Sequence, residues 1–351
     1  MFIQPHTLSL ITTHQCTAAC EHCCFACTPK VTKAIPIARL EALIDEAREV
    51  PSLRVVVFTG GECFLLGRDL DRLIARATQH GLATRCVTNG YWAASEKGAR
   101  KRVAEIRAAG LKEINFSTGT FHAKYVPVER IVLGARATAE AGLTTLINAE
   151  ICDQSDFGLE AIINDDRIRE LIVAGKIRVQ RNVWIESDGT LPLSHRPEHS
   201  RFNDGRKKGC RTAMNVIAVT PDQSLVACCG LHMEKIPDLH LGSIADRTLG
   251  DVLATAPDDF LKIWIHVEGP ERVLEFVKTH KPDYELPVSC VHPCETCLHL
   301  YRDETAKAVI AEHYREKEAD VVQLFLTGAA VRMASDRAAA DQTMDVDGVV
   351  P

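Results

Sequence analysis

The stretch that decides the fold reads Thr7-Leu-Ser-Leu-Ile-Thr-Thr-His-Gln-Cys16-Thr-Ala-Ala-Cys20-Glu-His-Cys23. Its first six residues are mostly apolar and β-prone, which predicts a strand that leads directly towards the cysteines. Three thiols at spacings of four and three residues then follow within one loop. In a chain without a secretory signal, such a cluster indicates a metal site and not a set of disulfides.

A strand-and-helix alternation continues from this loop through the first half of the chain. Strands are predicted at 53–58, 83–88, 113–117, 144–150 and 177–183, and helices at 35–49, 69–80, 95–109, 128–141 and 158–173. A near-continuous apolar strand such as 53–58 indicates a parallel sheet that is covered on both faces. Six successive β/α units predict an α/β fold with right-handed crossovers, open or curled towards a barrel.

Residues with a chemical signature gather at the carboxyl ends of these predicted strands. Gly60, Gly61 and Glu62 follow the second strand, Asn89 follows the third, and Ser117 ends the fourth. Parallel α/β folds place their chemistry at this edge, so we expect these residues to meet the cysteine loop. The paired glycines predict a close approach of backbone to a neighbour or a ligand.

At these residues the chain resembles the radical S-adenosylmethionine (SAM) enzymes, whose signature is Cys-x3-Cys-x2-Cys. The resemblance covers residues 7 to about 183. It implies that Cys16, Cys20 and Cys23 hold three corners of a [4Fe–4S] cluster, with SAM on the fourth iron. Reductive cleavage of SAM to a 5′-deoxyadenosyl radical, which abstracts hydrogen from a substrate, is the implied reaction. A zinc knuckle that uses Cys24 or Cys27 as its fourth ligand is the alternative for this loop.

The same resemblance implies which residues approach the cofactor. His22 stands where the family usually has an aromatic residue before the third cysteine. The implied cofactor-binding set is His22, Gly60, Gly61, Glu62, Asn89 and Ser117.

A second group of cysteines lies in the later part of the chain. Cys210 precedes a predicted hairpin over 215–228, Cys228 ends it, and Cys290-Val-His-Pro-Cys294-Glu-Thr-Cys297 follows. This pattern resembles the SPASM and twitch extensions of radical SAM enzymes, which bind auxiliary [4Fe–4S] clusters. The implied ligands of at least one auxiliary cluster are Cys210, Cys228, Cys294 and Cys297, with Cys290 as the rival to Cys294. A zinc ribbon from the same residues is the alternative, because iron and zinc share thiolate ligands.

These resemblances and patterns divide the chain into four parts. A partial (β/α)6 radical SAM barrel is expected over 1–187, and a small cysteine-rich SPASM/twitch-like domain over 188–302. A C-terminal helix is expected over 303–327. Residues 328–351 lack periodicity, so we expect a flexible tail there. Gln223 departs from the extension's pattern, since it stands in the hairpin where the family usually has Gly.

Composition excludes several classes of protein. The 351 residues are 46 % hydrophobic and 25 % charged, with a formal net charge of −6. A nucleic-acid partner would require basic clusters, which this balance argues against. No apolar run approaches the length of a membrane span, and the N-terminus lacks a signal-peptide pattern. We therefore expect a cytoplasmic protein with no nucleic-acid or membrane partner.

The resemblance also implies a substrate class and partners. Radical SAM proteins with this extension mostly act on peptides or proteins, so a ribosomally synthesised peptide is expected, with epimerisation or crosslinking as the modification. Epimerisation needs a second hydrogen donor, and Cys229 is the candidate; packing behind the cluster is its alternative role. A flavodoxin or ferredoxin is the expected electron donor. Because the cysteine motif begins close to the start, leader recognition is expected from a separate protein or from the catalytic pocket.

Two other functions stay open at this point. One is a radical SAM enzyme that acts on a small metabolite. The other is a zinc-binding protein without catalysis, which iron analysis of anaerobically purified protein would separate from the first two.

Overall fold

One sheet organises the chain. The computed structural model describes residues 4–151, 157–183, 201–202, 208–257 and 259–346. Within them the strands are β1 Thr7–Ile11, β2 Val55–Thr59, β3 Ala83–Thr88, β4 Glu113–Gly119, β5 Thr144–Ile151, β6 Ile177–Val183, β7 Val216–Val219, β8 Ser224–Val226 and β9 His240–Ser243. These nine strands form a single sheet in the order β6-β5-β4-β3-β2-β1-β7-β8-β9.

Thirteen α-helices accompany these strands in the described residues. They are α1 Ile37–Arg48, α2 Arg68–Gln79, α3 Glu96–Ala108, α4 Thr120–Ala123, α5 Val128–Glu140, α6 Glu160–Ile163, α7 Arg169–Val173, α8 Leu249–Thr255, α9 Phe260–Glu268, α10 Pro270–His280, α11 Pro293–Arg302, α12 Glu304–His313 and α13 Arg315–Val346.

The first six strands form the predicted parallel α/β sheet. Each of β1 to β6 pairs in parallel with its neighbour in sequence, so all six carboxyl ends lie at one edge. Leu8, Leu10, Phe58 and Phe116 are fully buried in this core. Full burial of side chains of this size contributes roughly 1.5–3 kcal/mol each, which stabilises the scaffold that holds the edge loops.

Helix α2 shows how the apolar pattern produces this layer. Its buried residues Leu70, Leu73, Ile74 and Ala77 follow the spacing of one helix face. Gly81, with a φ of 74°, ends the helix in the left-handed region. The chain then enters β3, so helix and strand pack as one unit.

The strand β7 continues the barrel sheet. It pairs in parallel with β1, with Thr7 opposite Val216 and Leu10 opposite Val219. The predicted hairpin is confirmed, since β7 and β8 are antiparallel. Gln223 adopts a φ of 57° in its turn, the conformation for which glycine is usually selected. The predicted domain boundary at 187/188 lies outside the described residues, and the later unit begins as an extension of the sheet.

Two helical regions differ from the sequence prediction. The predicted helix 158–173 is two short helices, α6 and α7. Between them the Asp165 side chain accepts a hydrogen bond from the Arg167 amide at 3.0 Å, and such local bonds compete with helix formation. Helix α9 was not predicted; it begins at Asp259, whose carboxylate accepts the Leu261 amide at 2.9 Å as an N-cap.

The C-terminal part is more helical than predicted. In place of one helix over 303–327 there are α12 and α13, which meet at Tyr314. Helix α13 continues to Val346, so residues 328–346 are helical although their sequence shows no periodicity. The segment is rich in alanine, the residue with the highest intrinsic helix propensity, which favours a helix without an apolar stripe. A flexible tail stays a prediction. None of the described helices combines the length and apolarity needed to cross a membrane.

Candidate functional site

The three cysteines of the first motif lie in one loop between β1 and α1. An isolated bridge pairs Gln15 with Thr28 and closes the loop. The Cys16 amide donates to the Thr28 carbonyl at 3.2 Å, and the Cys23 amide donates to the Cys20 carbonyl at 3.0 Å. These backbone bonds hold the three thiols together at the carboxyl end of β1, the edge where parallel sheets place their chemistry.

The loop is prepared for sulfur ligands but does not by itself favour three thiolates. The amides of Ala18 and Cys27 donate to the sulfurs of Cys16 and Cys23, each at 3.4 Å. A hydrogen bond from the Cys27 thiol lowers the pKa of Cys23 to about 6. Burial raises the pKa of Cys16 to about 11 and that of Cys20 to about 12. Three anionic sulfurs in this loop therefore require a bound cation, and the donor set fits an iron–sulfur cluster.

The paired glycines bring the loop after β2 against the cysteine loop. The Gly61 amide donates to the Thr13 carbonyl at 2.6 Å. A Cβ atom on Gly60 would lie 2.5 Å from the Thr13 oxygen, and one on Gly61 would lie 2.2 Å from the Gln15 oxygen and 3.1 Å from the Cys16 Cβ. Only glycine permits this approach, so the Gly-Gly pair is a packing requirement of the cysteine loop.

Glu62 holds the edge loops together. Its carboxylate is fully buried and accepts hydrogen bonds from the Phe64 amide at 3.0 Å, the Thr88 hydroxyl at 2.9 Å and the Asn89 amide at 2.8 Å. Burial raises the pKa of Glu62 to about 7. Because these bonds occupy the carboxylate inside the fold, the side chain acts as a positioning group. The predicted contact of Glu62 with a cofactor stays a prediction.

Asn89 reaches the cysteine loop directly. Its Nδ2 donates to the Thr17 hydroxyl at 3.0 Å and lies 3.5 Å from the Cys16 sulfur. The side chain is buried, so this amide is fixed beside the first cysteine. The sequence placed Asn89 at this edge, and the structure brings it within hydrogen-bonding distance of a predicted iron ligand.

Ser117 is placed differently from the prediction. Strand β4 runs to Gly119, so Ser117 lies within the strand, in register with Asn148 of β5. It is half-buried. Its approach to a cofactor stays a prediction.

His22, between Cys20 and Cys23 in sequence, is buried and packs against aromatic rings. It is 2 % exposed, and its ring stacks on Phe121 with centroids 4.6 Å apart. The His122 ring meets it edge-on at 5.0 Å. Burial, with the nearby His122 and Lys124, lowers the pKa of His22 to about 2, so the ring is neutral. A neutral, buried and stacked imidazole does the packing work of the aromatic residue that it replaces.

Three residues beside His22 had no role assigned from the sequence. The Glu150 carboxylate at the end of β5 accepts the Phe121 amide at 2.7 Å, and His122 Nδ1 lies 3.1 Å from its other oxygen. These bonds join the ends of β4 and β5 around His22. The sequence does contain one clue to these residues, which is their position: they immediately follow β4 or end β5, at the edge where parallel sheets place their chemistry.

Four of the later cysteines line a cavity, which we call the auxiliary cavity. Its lining is Cys210, Ala213, Met214, Ala227, Cys228, Leu239, Lys262, Ile265, Pro270, Pro293, Cys294, Cys297 and Tyr301. All four predicted auxiliary ligands are in this set. Burial raises the pKa of Cys294 to about 12 and raises those of Cys228 and Cys297 well above the usual thiol range. As in the first loop, sulfur anions here require a bound cation.

The structure separates Cys294 from its rival. Cys290 does not line the auxiliary cavity. Burial raises its pKa to about 12, and the side chains that act on it are those of Glu295, Thr296 and Glu271. A Cβ atom on Gly230 would lie 3.1 Å from the sulfurs of both Cys228 and Cys294, so these two sulfurs converge. This geometry supports Cys294 over Cys290.

Cys229 does not line the auxiliary cavity and bonds to the sheet. Its sulfur donates to the Ser9 hydroxyl on β1 at 3.2 Å. Burial raises the pKa of Cys229, so the group is a protonated thiol. Its neighbour Cys228 accepts a hydrogen bond from the Gly230 amide at 3.1 Å. The two adjacent cysteines therefore lie in different surroundings: Cys228 lines the auxiliary cavity, and Cys229 packs against the sheet.

Comparisons with known proteins agree with this geometry. Residues 10–149 match the family model of the radical SAM superfamily. These residues form a radical SAM domain, a type of domain that binds SAM and a [4Fe–4S] cluster. The Bacillus subtilis protein named "Putative peptide biosynthesis protein YydG" is 27 % identical over 120 residues, which are 34 % of this chain and 38 % of that protein. The chain thus aligns with well under half of this relative.

Solved structures share the whole fold. A structure titled native anSMEcpe with bound SAM and Cp18Cys peptide is 13 % identical and covers 92 % of this chain and 99 % of its own, with a TM-score of 0.57. SuiB of Streptococcus suis bound to SAM is 15 % identical, covers 86 % of this chain and 77 % of its own, and has a TM-score of 0.57. At these identities the likeness concerns the fold, and it confirms the predicted class: a radical SAM α/β sheet followed by a cysteine-rich region.

Proposed function

We propose that this chain is a radical SAM enzyme that modifies a ribosomally synthesised peptide. One observation supports the radical chemistry most: the cysteine loop, the Gly60–Gly61 loop and Asn89 converge at one edge of the sheet. The partial similarity to a protein named for peptide biosynthesis supports a peptide substrate.

The chain's residues divide the work of holding the cofactors. Cys16, Cys20 and Cys23 would bind three irons of a [4Fe–4S] cluster and leave one iron for SAM. His22, Gly60, Gly61, Glu62, Asn89 and Ser117 would surround SAM. Bound together, the cluster and SAM supply hydrogen-atom abstraction from an unactivated carbon. The protein's part is to orient the reacting groups and to exclude water.

The auxiliary cavity would hold one further [4Fe–4S] cluster on Cys210, Cys228, Cys294 and Cys297. A flavodoxin or ferredoxin would supply the electrons. A separate leader-binding protein would be a further partner. These partners follow from the radical chemistry and from the peptide substrate class.

Within this class, the geometry of Cys229 favours epimerisation. A peptide carbon that has lost its hydrogen atom can accept another from the Cys229 S–H on the opposite face, which forms a C–H bond and leaves a sulfur radical. One electron from the reductase protein and one proton then restore the thiol. The protonated state of Cys229 and its position against Ser9 of β1 suit a hydrogen donor.

The test uses anaerobically reconstituted protein with peptides encoded beside its gene. Two clusters predict about eight irons per chain, together with reductant-dependent release of 5′-deoxyadenosine. Epimerisation in heavy water predicts a mass gain of one deuterium at a single residue, whereas crosslinking predicts a loss of two hydrogens. A Cys16→Ala/Cys20→Ala/Cys23→Ala variant is the control and must form neither product. Zinc in place of iron would contradict the proposal, and turnover of a small metabolite without any peptide product would redirect it.

A further inference from the structure

The auxiliary cavity contains a buried tyrosine hydroxyl that makes no hydrogen bond within the described part of the chain. Tyr301 is 5 % exposed and lines the cavity with the four cysteines. Its hydroxyl is buried and has no hydrogen-bond partner in the described part of the chain. A buried hydroxyl without a partner costs about 1–3 kcal/mol, so such a group is expected to meet a ligand when the site is complete.

Helix α11 carries Tyr301 and two of the cysteines on one face. Cys294, Cys297 and Tyr301 occupy positions i, i+3 and i+7, which lie on one face of an α-helix. Long helical side chains lean back towards the helix N-terminus, so we expect the Tyr301 ring to lie over the turn that carries Cys297. The same helix face therefore presents two sulfurs and one hydroxyl to the cavity.

The other polar group of the cavity already has a partner. Lys262 lines the cavity, and its ammonium forms an ion pair with Asp259. Burial, with Cys297 nearby, raises the pKa of Tyr301 well above its usual range, so the hydroxyl keeps its proton. Tyr301 is thus a neutral donor whose proton is available inside an otherwise apolar cavity.

We propose that the Tyr301 hydroxyl donates a hydrogen bond to a sulfur of the auxiliary cluster and raises its reduction potential. The inference rests on the proposed auxiliary cluster. A hydrogen bond to cluster sulfur stabilises the reduced form most, because that form carries the larger negative charge. Tyr301 is a positioning and tuning residue, and the cysteines remain the ligands.

The test compares Tyr301→Phe with Tyr284→Phe by electron paramagnetic resonance during redox titration. Tyr284 is a matched control, since its hydroxyl donates to Asp303 at 2.9 Å and it does not line the cavity. Both variants are made in the full chain and in the Cys16→Ala/Cys20→Ala/Cys23→Ala background, where only the auxiliary signal remains. We expect Tyr301→Phe to lower the reduced-to-oxidised ratio at a fixed potential several-fold, where tenfold equals about 59 mV for one electron. Tyr284→Phe should leave the ratio unchanged.

Each other result is decisive. An unchanged potential in Tyr301→Phe with full iron content would overturn the hydrogen bond while leaving the cluster in place. Loss of auxiliary iron in that variant alone would assign Tyr301 to assembly and not to tuning. Absence of any auxiliary-cluster signal in protein that keeps all four cysteines, Cys210, Cys228, Cys294 and Cys297, would overturn the auxiliary cluster itself, and this inference with it.

Discussion

The carboxylate of Glu62 accepts a hydrogen bond from the Asn89 amide at 2.8 Å, which ties the loop after β2 to the loop after β3. The Asn89 side chain in turn lies 3.5 Å from the Cys16 sulfur. The predicted cluster loop is therefore supported by a buried chain of polar contacts that crosses three strand ends. Its geometry depends on residues that need not touch the cofactor.

Replacing Glu62 by Gln tests this support. The amide keeps the size of the side chain, but its NH2 group replaces one of two acceptor oxygens: the one bonded by Phe64 and Thr88, or the one bonded by the Asn89 amide. In either orientation two donors face each other, so we expect a loss of about 1–3 kcal/mol in the free energy of unfolding. The folded pKa of about 7 lies above the usual 4.5, so the folded state holds the proton longer than the unfolded state. Wild-type stability should therefore fall as the pH rises between these values, and the variant should lack this component.

Urea denaturation across that pH range, at equal iron content, provides the measurement. Glu113→Gln is the control, because Glu113 lies in β4 away from the cysteine loop and pairs with Arg85 near the surface. Equal pH profiles for wild type and Glu62→Gln would contradict the assignment of a raised pKa to Glu62.

Replacing Gly61 by Ala tests the close approach of the two loops. The new Cβ would meet the Gln15 carbonyl at 2.2 Å, and this backbone atom cannot move without displacing Cys16. We expect a destabilisation of about 1–3 kcal/mol and loss of iron from the first site. Gly250→Ala in α8 is the control; its Cβ meets nothing closer than 3.9 Å, and it should be neutral or stabilising by up to about 1 kcal/mol. Full iron content in Gly61→Ala would refute the packing argument.

Iron content also distinguishes the two candidate ligands on the second cysteine segment. We expect Cys294→Ala to lose about four irons per chain, because its sulfur converges with that of Cys228 in the auxiliary cavity. Cys290→Ala should keep them, since Cys290 lies outside the cavity lining. Iron and sulfide analysis after anaerobic reconstitution measures both variants. The reverse outcome would exchange the ligand assignment.

Removal of the Cys229 thiol tests the proposed hydrogen donor. Cys229→Ala should still release 5′-deoxyadenosine but should incorporate no deuterium into the peptide. Ser9→Ala removes only the acceptor of the Cys229 hydrogen bond at 3.2 Å, so it should retain incorporation at a reduced rate. Isotope analysis of the peptide by mass spectrometry reads both. Undiminished incorporation in Cys229→Ala would leave Cys229 with a packing role.

Local pattern was sufficient to predict most of the sheet. Strands β3 and β6 have the predicted bounds, because glycines in turns mark their ends: Gly81 and Gly90 flank β3, and Gly175 precedes β6. Helix α9 was missed because its sequence, Phe-Leu-Lys-Ile-Trp-Ile-His, is apolar almost all round, and such a segment does not show the one-sided period of a surface helix. The helical end of α13 was missed for the opposite reason, since alanine favours a helix without any apolar stripe.

The sequence by itself determined the chemistry: three thiols at the radical SAM spacing, a glycine pair after the next strand, and enough later cysteines for one further cluster. Only the tertiary structure decided which groups share a site. It placed Cys294 and not Cys290 in the lining of the auxiliary cavity, buried the Glu62 carboxylate between the edge loops, turned Cys229 towards Ser9 and left the buried Tyr301 hydroxyl without a hydrogen-bond partner among the described residues. The reason is physical: spacing along a chain limits which residue types can meet, whereas the direction of each side chain depends on packing between segments far apart in sequence.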